Sequence, residues 1–171
     1  MKERTLRKWC REELRALRID PPLRVDVLCE RLGERRGRPI RLVPFPLPVP
    51  GPFGVWLATS ANDYIVYQAE TTRVHQDHII LHEVGHILAE HESDESDEGF
   101  WRTELPDLSP DLIRRALRRS SYEADREREA ELVATIIMEW ASVLDYTTPH
   151  RSDRAAVRYL EAAFNDQPGW L

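Results

Sequence analysis

Two histidines four residues apart, with a glutamate beside the first, are the side chains in this sequence best suited to chemistry. Residues 82–86 read His-Glu-Val-Gly-His. On an α-helix, residues four apart lie on the same face one turn apart, so His82 and His86 can bind one metal ion. Glu83 then lies beside the ion, where it can take a proton from a water molecule and act as the catalytic residue. Zn²⁺ is the expected cofactor because it accepts nitrogen and oxygen ligands and lowers the pKa of water.

The apolar neighbours of this motif predict that its helix is buried. They are Ile79, Ile80, Leu81, Val84, Ile87 and Leu88. Two histidines in the middle of a buried helix need polar partners, which a metal ion would supply. The alternative is a structural helix with two hydrogen-bonded core histidines. Gly85 costs about 1 kcal/mol relative to alanine in a helix interior, so we expect another backbone to approach it closely.

A catalytic zinc site needs a third protein ligand, and the residue pattern leaves its identity open. The continuation H-x-x-G-x-x-H does not occur, because positions 89 and 92 are alanine and glutamate and His91 is one residue out of place. A later helix, expected over residues 121–144, is rich in glutamate. Its helical projection places Glu123 within the apolar side and Glu127 at the border, whereas Glu129 projects almost to the opposite side. Periodicity alone leaves Glu123 and Glu127 as rivals.

The two segments together resemble the ImmA/IrrE family of metallopeptidases. That family pairs H-E-x-G-H with a downstream E-x-E-A-N/D-x-F-A segment, and residues 127–134 read Glu-Arg-Glu-Ala-Glu-Leu-Val-Ala. The resemblance spans roughly residues 20–145 and implies that Glu127 is the third zinc ligand. The sequence departs from the family pattern at Val133 and at Glu131, where a shorter acid or amide would hydrogen-bond a ligand histidine.

The resemblance also implies a function, which the residue pattern alone does not. It implies a cytoplasmic, zinc-dependent regulatory endopeptidase whose substrate is a helix-turn-helix repressor or a similar intracellular protein. The alternative is a non-catalytic zinc-binding sensor or a toxin–antitoxin type interaction protein. His78, one turn before His82, is expected either to support a ligand or face substrate, or to be a solvated or packing side chain. The pattern brings neither Tyr122 nor His150 to the metal, so no oxyanion-stabilising residue is assigned.

The elements that position these residues predict a single α+β domain over residues 1–171, mainly helical and zincin-like. The sheet is expected to be small and mostly antiparallel, with about three strands. In chain order we expect N-terminal helices over 1–38, the sheet over 39–70, the metal-site helices over 71–145, and a C-terminal helix and tail over 146–171. One strand, residues 64–69, is expected either at the sheet edge, where an extended peptide could pair, or as an ordinary half-buried strand.

Composition and charge narrow the classes of protein further. A chain of 171 residues can bury a core without disulfides, and Cys10 and Cys29 match no metal or redox spacing. Residues 1–41 carry 13 Lys and Arg against 7 Asp and Glu. The acids are interleaved with the arginines, which favours solvated helical faces over direct nucleic-acid binding. The sequence has no signal-peptide pattern and no apolar run of about 18 residues, so we expect a cytoplasmic protein that does not span a membrane. No feature of the sequence predicts an oligomeric state.

Overall fold

The fold combines four helices with one small sheet in the part of the chain that the computed structural model describes, residues 2–47, 52–59, 61–91 and 124–147. In chain order the elements are α1 (Glu3–Ala16), α2 (Val25–Arg36), β1 (Ile40–Phe45), β2 (Gly54–Ala58), β3 (Asp63–Gln68), α3 (Arg73–Leu88) and α4 (Ala124–Thr147). The predicted α+β class with a small three-stranded sheet is confirmed. Most of the expected C-terminal helix and tail, from residue 148 onwards, lies outside the described residues. None of the described helices has the length and apolar character needed to cross a membrane.

The sheet is mixed, with β3 at its centre. The strand order is β1-β3-β2. β1 runs parallel to β3, with Ile40 opposite Asp63, and β2 runs antiparallel to β3, with Gly54 opposite Tyr67. Of the two alternatives for residues 64–69, the edge strand is therefore wrong, because β3 is paired on both sides. The physical reason is that β1 and β2 both pair with the later strand rather than with each other, so β1 and β2 are the two edge strands.

The two N-terminal helices form one side of the core, as their apolar spacing predicts. On α1 the buried residues Leu6, Cys10 and Leu14 follow one another at intervals of four. On α2 the thiol of Cys29 is buried as well, and both cysteines are free. Burial raises the pKa of Cys10 to about 11 and that of Cys29 to about 12. Both cysteines therefore behave as small core residues.

Polar contacts at the N-terminus of α3 fix where this helix begins relative to the sheet. The backbone N–H of His75 donates to Thr72 Oγ1 at 3.3 Å, so Thr72 is the N-cap. The side-chain amide of Gln76 donates to the carbonyl of Ala69 at 2.9 Å, just beyond the end of β3. From this anchor α3 runs through the core, and its buried apolar residues are Ile79, Ile80, Leu81, Val84, Ile87 and Leu88.

The packing of α4 on α3 depends on Gly85. A Cβ atom at Gly85 would lie 2.9 Å from the carbonyl oxygen of Ala130 and 3.0 Å from its Cα. Only glycine permits two helix backbones to approach so closely, and the predicted close approach is confirmed. The buried residues of α4 are Ala130, Val133, Ala134, Ile136 and Ile137. This contact fixes the position of α4 along the axis of α3, and so determines which side chains of the two helices meet.

Candidate metal centre

The two histidines of the motif converge through their Nε2 atoms. His82 and His86 lie one turn apart on α3, and their Nε2 atoms are 3.2 Å apart. The side chain of His86 is fully buried, whereas that of His82 is about one-fifth exposed. One face of α3 therefore presents two imidazole nitrogens to a single point, as the four-residue spacing predicts.

The third side chain at this point is Glu127, from the first turn of α4. Its Oε2 lies 3.2 Å from His82 Nε2, and its Oε1 lies 3.5 Å from His86 Nε2. All the candidate ligand atoms of His82, His86 and Glu127 lie within 4.8 Å of one another. Its rival Glu123 lies outside the described residues. The close approach at Gly85 makes the convergence possible, because Glu127 precedes Ala130 by one turn.

The protonation state of His86 fits a metal ligand. Burial, together with the charge that His82, His91 and Arg126 can carry, lowers the pKa of His86 to about 3. At neutral pH the ring is therefore uncharged, which is the form that binds a cation. Two imidazoles and a carboxylate make a donor set that fits a divalent metal ion, although the set alone does not identify the metal.

Glu83 lies beside the triad and is almost completely buried. Its Oε2 has no hydrogen-bond partner among the residues that the structure describes. Burial, and secondly the charge of Glu127, raise the pKa of Glu83 to about 8, against a hydrogen bond from the backbone N–H of Trp56 that lowers it. A buried carboxylate with an unpartnered oxygen is costly unless a cation or a polar ligand lies next to it. Glu83 therefore fits a metal site as a neighbour of the ion rather than as a ligand.

The outer nitrogen of His82 has a carboxylate partner. Glu131 Oε2 lies 3.3 Å from His82 Nδ1, and Glu131 Oε1 lies 3.1 Å from His78 Nε2. Burial raises the pKa of Glu131, but the hydrogen bonds and charges of His78 and His82 lower it by more than burial raises it. The net shift of the pKa is therefore downward. The longer acid at position 131 thus reaches the Nδ1 atom of His82. His78 contacts both Glu131 and, through its Nδ1 at 3.3 Å, the sulfur of Met138, so its contacts are compatible with a supporting role and with a packing role.

The outer nitrogen of His86 has a different partner, which the sequence did not reveal. His91 Nδ1 lies 3.0 Å from His86 Nδ1, and His91 Nε2 lies 3.4 Å from Glu129 Oε2. In the sequence, His91 lies one residue away from the position of a third histidine in H-x-x-G-x-x-H, and Glu129 projects almost to the side of its helix opposite the apolar residues. The helical projection describes α4 alone and carries no information on the turn that follows α3. A histidine just beyond a metal-binding helix was the one available signal.

A cleft of about 350 Å³ opens at the triad. Its walls include Phe53, Gly54 and Val55 at the start of β2, and Ile79 on α3. A Cβ at Gly54 would lie 2.9 Å from Glu83 Oε1 and 2.6 Å from Ile79 Cγ2, so β2 passes directly over the buried carboxylate. Because β2 pairs only with β3 among the described strands, its second edge faces away from the sheet. The cleft is thus bordered by an edge strand on one side and the metal-site helix on the other.

Comparison with known proteins adds no family to this geometry. The sequence matches no protein-family model and no curated protein, and the fold matches no solved structure.

Proposed function

We propose that this chain is a zinc-dependent metallopeptidase, with His82, His86 and Glu127 as the metal ligands and Glu83 as the catalytic base. The observation that carries the proposal is the meeting of two helices at one point. Side chains of α3 and α4 bring the three ligand atoms together beside a buried carboxylate. The resemblance of the two motifs to the ImmA/IrrE family supports the same assignment.

The separations between the ligand atoms support zinc as the metal. Two atoms that each lie 2.0–2.1 Å from a tetrahedral ion are about 3.3 Å apart. The two Nε2 atoms are 3.2 Å apart, and Glu127 approaches them through different oxygens, with Oε2 at 3.2 Å from His82 and Oε1 at 3.5 Å from His86. Two nitrogens and a carboxylate also form a known catalytic zinc set that leaves one position open. A bound zinc ion would polarise a carbonyl group and lower the pKa of a water molecule at that open position.

Glu83 would carry the protons of the reaction. Its carboxylate accepts a proton from the water whose oxygen attacks the carbonyl carbon of the peptide bond. As the carbon–nitrogen bond breaks, Glu83 donates that proton to the departing amine nitrogen. A cation at the triad would favour the ionised carboxylate, which burial otherwise disfavours. Proton transfer in this scheme needs no second titratable group.

The substrate that fits the cleft is an extended peptide. The edge of β2 that is unpaired among the described strands offers backbone hydrogen-bonding groups, and an extended segment can add to such an edge as a further strand. Gly54 keeps that stretch of β2 close to Glu83, so a paired segment would pass near the triad. The family resemblance suggests a cytoplasmic regulatory substrate, such as a helix-turn-helix repressor. The repressor substrate comes from this resemblance and not from the geometry of the cleft.

The test compares the wild-type chain with Glu83→Gln and with Glu127→Ala. We expect zinc analysis of the purified proteins to find about one ion per chain in the first two and a large loss in the third. The activity assay incubates each protein with a library of peptides and follows new termini by mass spectrometry. Glu83→Gln should bind zinc normally and cleave at least 10²-fold more slowly, the minimum effect of removing a positioned acid–base group.

Each other outcome counts against a stated part of the proposal. Zinc retained by Glu127→Ala would remove Glu127 as the third ligand. The wild-type chain could bind zinc but cleave no peptide, while the Glu83→Gln variant keeps the biological activity. That result would favour the non-catalytic zinc-binding sensor or interaction protein. A chain that binds no zinc would reject both.

A further inference from the structure

We propose that His91 and Glu129 are positioning residues that hold the ligand His86 through a hydrogen-bonded relay. This inference rests on the proposed metal site, and nothing in the metallopeptidase assignment requires it. Three side chains follow one another, with 3.0 Å between the Nδ1 atoms of His86 and His91 and 3.4 Å between His91 Nε2 and Glu129 Oε2. The chain of contacts leads from a fully buried ligand to a carboxylate that is about one-quarter to one-third exposed.

Hydrogen-bond chemistry fixes the direction of the relay once a metal occupies His86 Nε2. A neutral imidazole carries one proton, so a metal on Nε2 leaves that proton on Nδ1 of His86. His91 Nδ1 must then accept, and the proton of neutral His91 must lie on Nε2. That N–H points to Glu129, and an ionised carboxylate can only accept. Each N–H donor in the relay therefore faces an acceptor, and the donors can only point from His86 through His91 to Glu129.

The backbone after α3 is shaped to bring His91 back to His86. Glu90 adopts a left-handed conformation with φ 51°, which is uncommon for a residue other than glycine. The turn lets the N–H of His91 donate to the carbonyl of His86 at 3.0 Å, and the N–H of Glu90 donate to Ile87 at 3.3 Å. These two bonds form the Schellman motif that closes many helices. His91 thus contacts His86 through both its backbone and its ring.

The relay behind His86 is more deeply buried than the contact between Glu131 and His82. His91 is only 8% exposed, whereas Glu131, the partner of His82, is half-exposed. Hydrogen bonds in a buried environment are less weakened by solvent, so the ring of His86 is held in one orientation. Outer partners of this kind orient a metal-binding histidine and raise its basicity. We therefore expect the relay to strengthen metal binding at His86.

The first test measures zinc affinity of the full-length chain by competition with a chromophoric chelator. His91→Ala should weaken zinc binding by about 10–100-fold, the usual effect of losing an outer partner. Glu129→Ala should weaken it less, and Glu129→Gln should recover most of that loss, because the amide oxygen still accepts the proton of His91. Matched controls are His75→Ala on α3, the helix that carries His86, and Glu139→Gln on α4. Both variants should bind zinc as the wild type does.

The variant Glu90→Gly separates the relay from the turn. Glycine adopts the left-handed conformation at no steric cost, so the turn should persist with unchanged zinc affinity. Thermal unfolding of each metal-free variant then shows whether a loss of affinity is a loss of folding. Zinc affinity in His91→Ala equal to that of His75→Ala, in a folded protein, would overturn the relay.

A second measurement reads the protons directly. Nitrogen-15 NMR of the zinc-loaded chain should find His86 with its proton on Nδ1 and His91 with its proton on Nε2. A proton on Nδ1 of His91 would overturn the relay even if zinc is bound. This result is distinguishable from failure of the proposed function, which would appear as a wild-type chain that binds no zinc or cleaves no peptide.

Discussion

Replacing Gly85 with alanine tests the link between helix packing and the metal centre. The new Cβ would lie 2.9 Å from the carbonyl oxygen of Ala130 and 3.3 Å from its carbonyl carbon. Ordinary contacts between such atoms are about 3.5 Å or longer, so the two helices must separate by roughly half an ångström. The atoms in contact belong to helix backbones and cannot rotate away. We therefore expect an overpacking cost near the upper end of about 1–3 kcal/mol.

The net change in stability includes an opposing effect. Alanine is favoured over glycine in a helix interior by about 1 kcal/mol, which leaves a net loss of about 2 kcal/mol for Gly85→Ala. For a domain of this size, that corresponds to a fall in Tm of roughly 4–8 °C. Metal binding should also weaken, because Glu127 moves with α4 and ligand distances tolerate only about 0.2 Å. Guanidinium denaturation of the metal-free protein and a zinc competition titration would measure the two effects.

A matched control is Gly37→Ala, at the end of α2. Within the described part of the chain, and apart from the two neighbouring residues, no atom lies within 4 Å of a Cβ at Gly37, but its φ of +67° strains any other residue. It should therefore lower stability by about 1–2 kcal/mol without changing zinc affinity. If Gly85→Ala proves as stable as the wild type, the argument from close approach is refuted. If it is destabilised but binds zinc as tightly as Gly37→Ala does, the link from helix spacing to Glu127 is refuted.

Three further predictions concern the cleft, the thiols and the metal. Gly54→Ala should slow peptide cleavage more than it weakens zinc binding, because the added methyl group presses on Glu83; normal turnover would contradict this. Cys10 and Cys29 should resist a thiol reagent in the folded protein. Their raised pKa values leave at most about one thiolate in a thousand at pH 8, and the fraction rises tenfold per pH unit. Rapid labelling of both thiols without denaturant would show that they are not buried. Chelation of zinc should lower the Tm but leave the far-UV circular dichroism spectrum of a folded protein, since the core does not depend on the metal; a random-coil spectrum would contradict this.

The sequence was most informative where a local pattern determines a local structure. Apolar residues around His82 and His86 predicted a buried helix, and the glycine within it predicted a close backbone contact. The position of α4 relative to α3 was not predictable in the same way. Periodicity predicts which face of α4 carries Glu127, but not which residues of α3 that face lies against. The choice of Glu127 over Glu123 therefore came from the family resemblance, and the observed convergence supports it.

Features that depend on distant pairing or on unusual backbone conformations were beyond the sequence. The strand pattern of residues 64–69 describes a half-buried strand equally well at an edge or at a centre, and β3 lies at the centre. The contact of His91 with His86 needs a left-handed residue at Glu90. Glycine or asparagine would have signalled such a turn, but glutamate does not. The partners of the candidate metal ligands were thus harder to predict than the candidate ligands themselves.

The burial of Glu83 is hard to explain by stability alone. A carboxylate that is 4% exposed, with one oxygen unpartnered among the described residues, weakens a metal-free fold. An apolar or amide side chain of similar size would cost less, so selection for stability would not retain glutamate here. Glu83→Gln should therefore raise the stability of the metal-free protein while it abolishes cleavage. Loss of activity in a more stable protein cannot be attributed to unfolding, and this makes Glu83 the most decisive position for the proposed function.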